Sequence, residues 1–219
     1  MNAILQLPST QTQYETLADL VTALGDVPLS RIRMKPAPGT ATEADVIALS
    51  ERADKILCEL IDGVLVEKAM GSYESQLSIL LSTELMLWIR TGRWGFLTGE
   101  QGQVRIPTGR IRVPDLSFYR RDRQPGGRRP QGVIWEAAPD LVVEILSESN
   151  RPGEMQSKRE DYFAAGVRLL WEIDPVARTV MVSASVTESI VLTEADFLTS
   201  DAVLPGFRLS IVTLFADGE

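Results

Sequence analysis

Histidine is absent from all 219 residues. Its absence removes Ser-His-Asp and Cys-His catalysis, histidine general bases and histidine-ligated zinc. A single cysteine, Cys58, excludes an intramolecular disulfide and any multi-cysteine zinc site. It sits in the apolar run Ile56-Leu57-Cys58-Glu59-Leu60 and reads as a small core residue. Aromatic residues make up only 6%, and Trp88, Trp94, Trp135 and Trp171 read as core rather than as base-stacking platforms. No apolar run approaches the roughly 18–20 residues that span a bilayer, and residues 1–8 lack the basic start and apolar stretch of a signal peptide. A cytoplasmic protein is the default expectation.

Any catalysis must therefore use Asp, Glu, Lys, Tyr, Ser or Arg, and any metal site must be rich in oxygen, which suits Mg²⁺ or Mn²⁺. The net charge of −8 argues mildly against a protein that coats nucleic acid. Between 105 and 129, however, stand Arg105, Arg110, Arg112, Arg120, Arg121, Arg123, Arg128 and Arg129, opposed only by Asp115 and Asp122. This is either a surface for a phosphate backbone or a solvated arginine-rich loop.

Periodicity places a short amphipathic helix over 14–24, stopped at Gly25, and a second one opened by Thr42 and Asp45 and running to about Arg52. Together they predict a small helical N-terminal appendage over 1–55, leaving 56–219 as the main domain. Asp62-Gly63 between the apolar runs 57–61 and 64–66 signals a two-residue hairpin. Leu77, Leu80, Leu81, Leu85 and Trp88 mark a long helix over 72–90, closed by Gly92. Short strands follow at 96–98, 104–106, 111–113 and 116–118, then a loop over 120–135. Residues 141–146 read as an interior strand, 154–165 as a helix ended by Gly166, and 167–173 as a strand. Segments 179–184 and 189–192 read as a terminal hairpin. The fold class is α/β (α+β), with a mixed sheet flanked by helices.

Glu144 is the sharpest anomaly, a carboxylate inside the apolar strand Leu141-Val-Val-Glu144-Ile-Leu146. Such a group pairs, shifts its pKa or binds a cation. Two Pro-Asp pairs compete to be its partner. Asp140 lies on the same strand, roughly 13 Å away, beyond the reach of a shared ion. Asp115, on a separate strand, can approach laterally. Lys158 either reaches back to these carboxylates or belongs to a surface ladder with Glu154 and Asp161. Tyr162, one turn later, reads as helix packing. Glu74 either favours the start of the long helix or adds a third acidic ligand. Glu59 and Asp62 are ascribed to the hairpin. Two carboxylates and a lysine on neighbouring elements predict a metal-dependent nuclease. The rivals are a non-catalytic binding module that keeps the fold and a two-carboxylate glycoside hydrolase, which the low aromatic content disfavours.

The Pro114-Asp115 pair, the strand Pro139-Asp-Leu-Val-Val-Glu144-Ile-Leu-Ser147, the helix Lys158-Arg-Glu-Asp-Tyr162-Phe-Ala-Ala-Gly166 and the strand Leu170-Trp-Glu-Ile-Asp174-Pro resemble the Uma-two family of restriction-endonuclease-type proteins in the PD-(D/E)xK superfamily. So do Glu59-Leu-Ile-Asp62-Gly63 and Val203-Leu-Pro-Gly206-Phe. The resemblance implies a restriction-endonuclease-like core acting on DNA, in which Asp115 and Glu144 bind Mg²⁺ with the carbonyl of Ile145 as a further ligand. The superfamily's usual lysine position, two residues after the Glu, holds Leu146; Lys158 matches relatives that carry the lysine on the following helix. Glu74 stands about where family members often carry a histidine. Cutting two strands calls for two sites, which suggests a symmetric homodimer.

Overall fold

A computed structural model describes residues 14–69 and 71–216. Helix α1 (Leu17–Ala23) and helix α2 (Glu43–Ser50) each start with a capping box, Thr16 with Asp19 and Thr42 with Asp45, as the residue spacing predicts for the second. Strands β1 (Cys58–Ile61) and β2 (Val64–Glu67) form the expected hairpin, with Ile61 opposite Val64. Both turn residues have positive φ, 49° at Asp62 and 77° at Gly63, the conformation that Asp-Gly turns supply. A side chain at Gly63 would also meet the carbonyl of Gly39 at 2.6 Å. Gly63→Ala is therefore expected to destabilise the protein by about 2–4 kcal/mol, through backbone strain and overlap together, as measured by urea denaturation.

Helix α3 (Ser72–Gly92) buries Leu77, Leu81, Leu85 and Ile89 along one stripe. Arg93, in the left-handed region, caps it, so Gly92 is its last residue rather than its stop. Glycine stands at 92 because the Trp94 ring crosses there, with Cε2 2.4 Å from where a Cβ would lie. Strands β3 (Gly95–Thr98), β4 (Gln103–Arg105), β5 (Ile111–Arg112), β6 (Leu116–Arg120), β7 (Ile134–Trp135) and β8 (Leu141–Ile145) follow. Helix α4 (Pro152–Ala165) ends at Gly166 in the left-handed conformation. Then come β9 (Leu169–Asp174), β10 (Thr179–Ser183), β11 (Ser189–Leu192), β12 (Phe197–Ser200), β13 (Leu204–Ser210) and α5 (Ile211–Ala216).

These strands make three sheets instead of one. A six-stranded mixed sheet runs β11-β10-β9-β8-β6-β3, a five-stranded sheet runs β2-β1-β5-β4-β7, and β12 pairs with β13 as a ribbon. The two larger sheets part at Pro114, which has no N–H to continue a ladder: Ile111 and Arg112 belong to one sheet and Leu116 to the other. The segment expected to be a loop contains β7, which pairs in parallel with β4.

Strand β8 is buried throughout because it is covered on both faces. Leu141, Val143 and Ile145 join the core under α3 and α5, which includes Trp171 and Phe207. Val142 faces the other way, toward Tyr162 of α4. Glu144 shares that second face by strand alternation. Cys58 is buried, as expected, and burial pushes its thiol pKa up to about 12, so it stays protonated. The region before β1 packs closely against the hairpin and α4. Leu20, Leu24 and Val27 share a core with Ile61, Val64 and Val66. Arg31 makes two hydrogen bonds, of 2.8 and 3.1 Å, to the Glu154 carboxylate at the start of α4. No helix among the described residues is long and apolar enough to cross a membrane.

Candidate active site

The site forms where the two large sheets meet beneath α4. Asp115 and Glu144 face each other across neighbouring strands, since Leu116 is paired with Val143 and the Asp115 N–H donates to the Val143 carbonyl (3.1 Å). The lateral approach expected of Asp115 is thus realised. Between the two carboxylates lies a group that local sequence did not mark, the Lys68 ammonium. It stands 3.0 Å from Asp115 Oδ1 and 3.2 Å from Glu144 Oε2. Asp115 Oδ2 accepts from the Ile145 N–H at 2.6 Å, tying the aspartate to its partner's strand.

Lys158 is the second ammonium of the centre, 2.9 Å from Glu144 Oε2 and 3.1 Å from Glu59 Oε1. Tyr162 donates its hydroxyl to Glu144 Oε1, so it packs and also orients the carboxylate. Glu59, which the sequence pattern ascribes to the hairpin, is a member of the site. It is wholly buried, and it accepts from Arg112 Nη1 (2.8 Å) and the Val113 N–H (3.2 Å) besides Lys158. Arg112 Nε also donates to Asp161 at 2.7 Å, and Arg110 links Asp161 to Asp62.

The α4 face explains this network. Glu154, Lys158, Asp161 and Tyr162 recur at helical core spacing and are all buried. In place of a surface ladder, each reaches a partner distant in sequence: Glu154 reaches Arg31, Lys158 reaches Glu59 and Glu144, Asp161 reaches Arg112, and Tyr162 also reaches Glu144. The sequence signal was available, because charged residues occupied the positions where an amphipathic helix puts its apolar ones.

Electrostatics differ between the two facing carboxylates. Burial pushes the Asp115 carboxyl above its usual range, and Lys68 offsets this only in part. Burial also disfavours the charge on Glu144, but Lys158 and Lys68 outweigh it and hold that carboxyl below its usual value. Lys68 itself is raised, since Asp115 and Glu144 overcome the cost of burial. Tyr162 is raised well above 10.0 by burial and by Glu144, so it remains a donor. For Glu59, burial is outweighed by Lys158, Arg112 and Lys68, and the carboxyl falls far below its ordinary 4.5. A depressed carboxyl stabilises the fold above its unfolded value, and that stability is lost as pH falls toward the folded value. Wild-type stability is therefore expected to decline from about pH 4.5 downward, with a shallower decline for Glu59→Gln, in denaturation measured across pH 2–7.

Asp140, set aside on grounds of reach, is a structural anchor at the other end of β8. It accepts from Arg123 Nη1 (2.6 Å) and the Arg120 N–H (2.8 Å). Most of the 105–129 arginines are likewise tied internally. Arg105 pairs with Glu43 and Glu136, Arg110 and Arg112 serve the buried network, and Arg120 pairs with Asp122. Arg121 lies over the Phe96 ring and donates to backbone carbonyls, and Arg123 holds Asp140. Arg128 and Arg129 are exposed. Six of the eight arginines are thus tied within the protein, which leaves Arg128 and Arg129 on the surface.

A cleft of about 730 Å³ opens at the C-terminal ends of the parallel strands β8 and β9, lined by Ala69, Glu74, Leu146, Ser147, Asn150 and Asp174 among others. Ala69 and Leu146, which line the cleft, directly follow Lys68 and Ile145 in the chain, whereas Asp115, Glu144 and Lys158 are buried and are not among its lining residues. Glu74 lines its wall, with its carboxylate against Gly71. Among the described residues no contact joins Glu74 to Asp115 or Glu144, and no three Asp, Glu, Cys or His side chains form a metal-binding group.

A mixed sheet with helices on both faces gathers these Asp, Glu and Lys side chains at its junction with the second sheet, and the fold is similar to a nuclease fold. The chain belongs to the Uma2 family, described as "Putative restriction endonuclease", whose model matches residues 43–212. Among solved structures it is similar to a "putative nuclease belonging to DUF820" from Anabaena variabilis ATCC 29413, with a TM-score of 0.67 and 22% identity over 80% of this chain and 97% of that one. No curated protein matches.

Proposed function

We propose that the chain is a divalent-metal-dependent endonuclease that hydrolyses phosphodiester bonds of DNA. The observation that carries this reading is the convergence of Asp115 and Glu144 on one cation, the ammonium of Lys68, whose following residue, Ala69, lines the cleft. The ammonium is a stand-in for a hard ion. Mg²⁺ commonly binds through one or two carboxylates and completes its shell with water and substrate phosphate, so a third carboxylate is not required. Asp115 and Glu144 would hold the ion, with the Ile145 carbonyl as a further donor. Bound there, a divalent ion supplies an acidified water and stabilises charge developing on the phosphate.

The chain's own residues prepare that place. Tyr162 and Lys158 fix the two oxygens of Glu144, and the Ile145 N–H fixes Asp115. Glu59 and Arg112 hold Lys158 in line, leaving its ammonium to support Glu144 and the charge on a bound phosphate. Glu74 is assigned to the cleft wall. A homodimer would present two such centres to a duplex.

The test is cleavage of supercoiled plasmid DNA with Mg²⁺ or Mn²⁺ and with EDTA, by wild type and Asp115→Asn. Metal-dependent nicking by wild type, lost in Asp115→Asn, is expected. One observation favours a second reading, a non-catalytic nuclease-fold module: every oxygen of Asp115 and Glu144 already has a partner within the protein. Wild type that stays folded and cleaves neither DNA nor RNA with either metal would establish that second reading and sink the first.

A further inference from the structure

We propose that Lys68 is an internal substitute for the metal ion. Its ammonium holds the cation position in the metal-free protein, sets how tightly a divalent ion binds there, and swings out toward the cleft when the ion enters. This inference rests on the metal-dependent reading above.

The two ammonium groups of the centre are not equivalent. Lys158 is shared between Glu144 and Glu59, so it keeps one carboxylate even if Glu144 turns to a metal ion. The ion pairs of Lys68 are with Asp115 and Glu144, the same two residues the ion would take. Entry of the ion removes both of its partners at once, and a buried ammonium without a counter-charge is not sustained.

Their anchoring differs in the same sense. Lys158 is in the middle of α4, on its buried face. Lys68 follows the last residue of β2, with its backbone N–H held by the Leu57 carbonyl at 2.9 Å, and the next residue, Ala69, already lines the cleft. Its flexible four-carbon stem can turn about a fixed backbone.

Charge counting points the same way. Five carboxylates, Glu59, Asp62, Asp115, Glu144 and Asp161, face four cations, Lys68, Lys158, Arg112 and Arg110. A dication added to this set, which carries one net negative charge, turns it one positive. With Lys68 out, the set is neutral. Lys68 displacement thus balances metal entry, and it uncovers carboxylates that are 2% exposed while the lysine is in place.

The test uses the full-length protein without nucleic acid. Mn²⁺ is titrated calorimetrically into wild type, Lys68→Met and Asp115→Asn. Lys68→Met is expected to bind at least about tenfold tighter than wild type, or to be the one form that binds, while Asp115→Asn binds in neither case. Equal or weaker binding by Lys68→Met, with wild type still binding, overturns the role of Lys68 and leaves the metal centre standing. No binding by either overturns both. Should Lys68→Met fail to fold without metal, reductive methylation of wild type, read by mass spectrometry, decides. Lys68 is expected to be protected without Mn²⁺ and modified with it, and Lys158 protected in both. Protection of Lys68 at saturating Mn²⁺ overturns the proposal.

Discussion

Glu144→Gln is expected to abolish metal-dependent cleavage, with a loss on the order of 10³-fold or more, while the protein remains folded at lower stability. The change preserves shape, so the loss reports charge and ligand chemistry. Glutamine cannot neutralise Lys68 and Lys158, whose ammonium groups now converge on one Glu144 oxygen at 3.2 and 2.9 Å. Two cations left facing an amide should cost about 3–5 kcal/mol in stability, the usual penalty for breaking a buried pair. Asp140→Asn is the matched control. It too removes a buried carboxylate, one that immediately precedes β8 and is held by Arg123 and the Arg120 N–H. It should lower stability and leave turnover per folded molecule unchanged. Cleavage and urea denaturation are measured on all three proteins. Retained cleavage by Glu144→Gln would remove this residue from the chemistry altogether.

Lys158→Ala carries the second large effect, this one on stability. The side chain is 1% exposed and balances Glu59 and Glu144 together. Its removal strands two carboxylates in the interior and is expected to destabilise the fold by about 3–5 kcal/mol. A surface ladder with Glu154 and Asp161 would instead be worth only a few tenths of a kcal/mol, so the two descriptions differ by roughly tenfold in the same measurement. The double variant Lys158→Met with Glu59→Gln should recover part of the loss, because it removes the lysine together with one of the charges it compensates. The non-additivity of that cycle measures the coupling between α4 and β1. A Lys158→Ala cost below about 1 kcal/mol would show that the ammonium is solvated.

What could be read from the sequence divides along a physical line. Glu144 stood out because a strand covered on both faces is apolar throughout, which leaves a carboxylate conspicuous. The Asp62-Gly63 turn and the α3 stripe were equally legible, since each is a local pattern with one structural solution. Glu59 is hidden by that same turn: a strong hairpin signal accounts for the whole segment, its carboxylate included. Lys68 had no local signature, because its partners lie 47 and 76 positions further along the chain and its own neighbours form no periodic element. The charged residues of α4 were ambiguous for another reason. Spacing of three and four describes both a solvent ladder and a buried face, and only tertiary partners decide between them. The division into two large sheets was likewise beyond local reading, although Pro114, where they part, was already singled out beside Asp115.

The junction at Pro114 also bears on the order in which the protein assembles. The centre draws on β1, the lysine after β2, β5, the sheet edge beyond Pro114, β8 and α4. Its pairings span 53 residues between Glu59 and Arg112 and 76 between Lys68 and Glu144. Contacts so distant in sequence form only after the loops between them have closed. During synthesis the early carboxylate and lysine must wait for α4 to emerge, and a chain released before Lys158 lacks the charge that settles both Glu59 and Glu144. The buried charge centre is thus among the last features to mature.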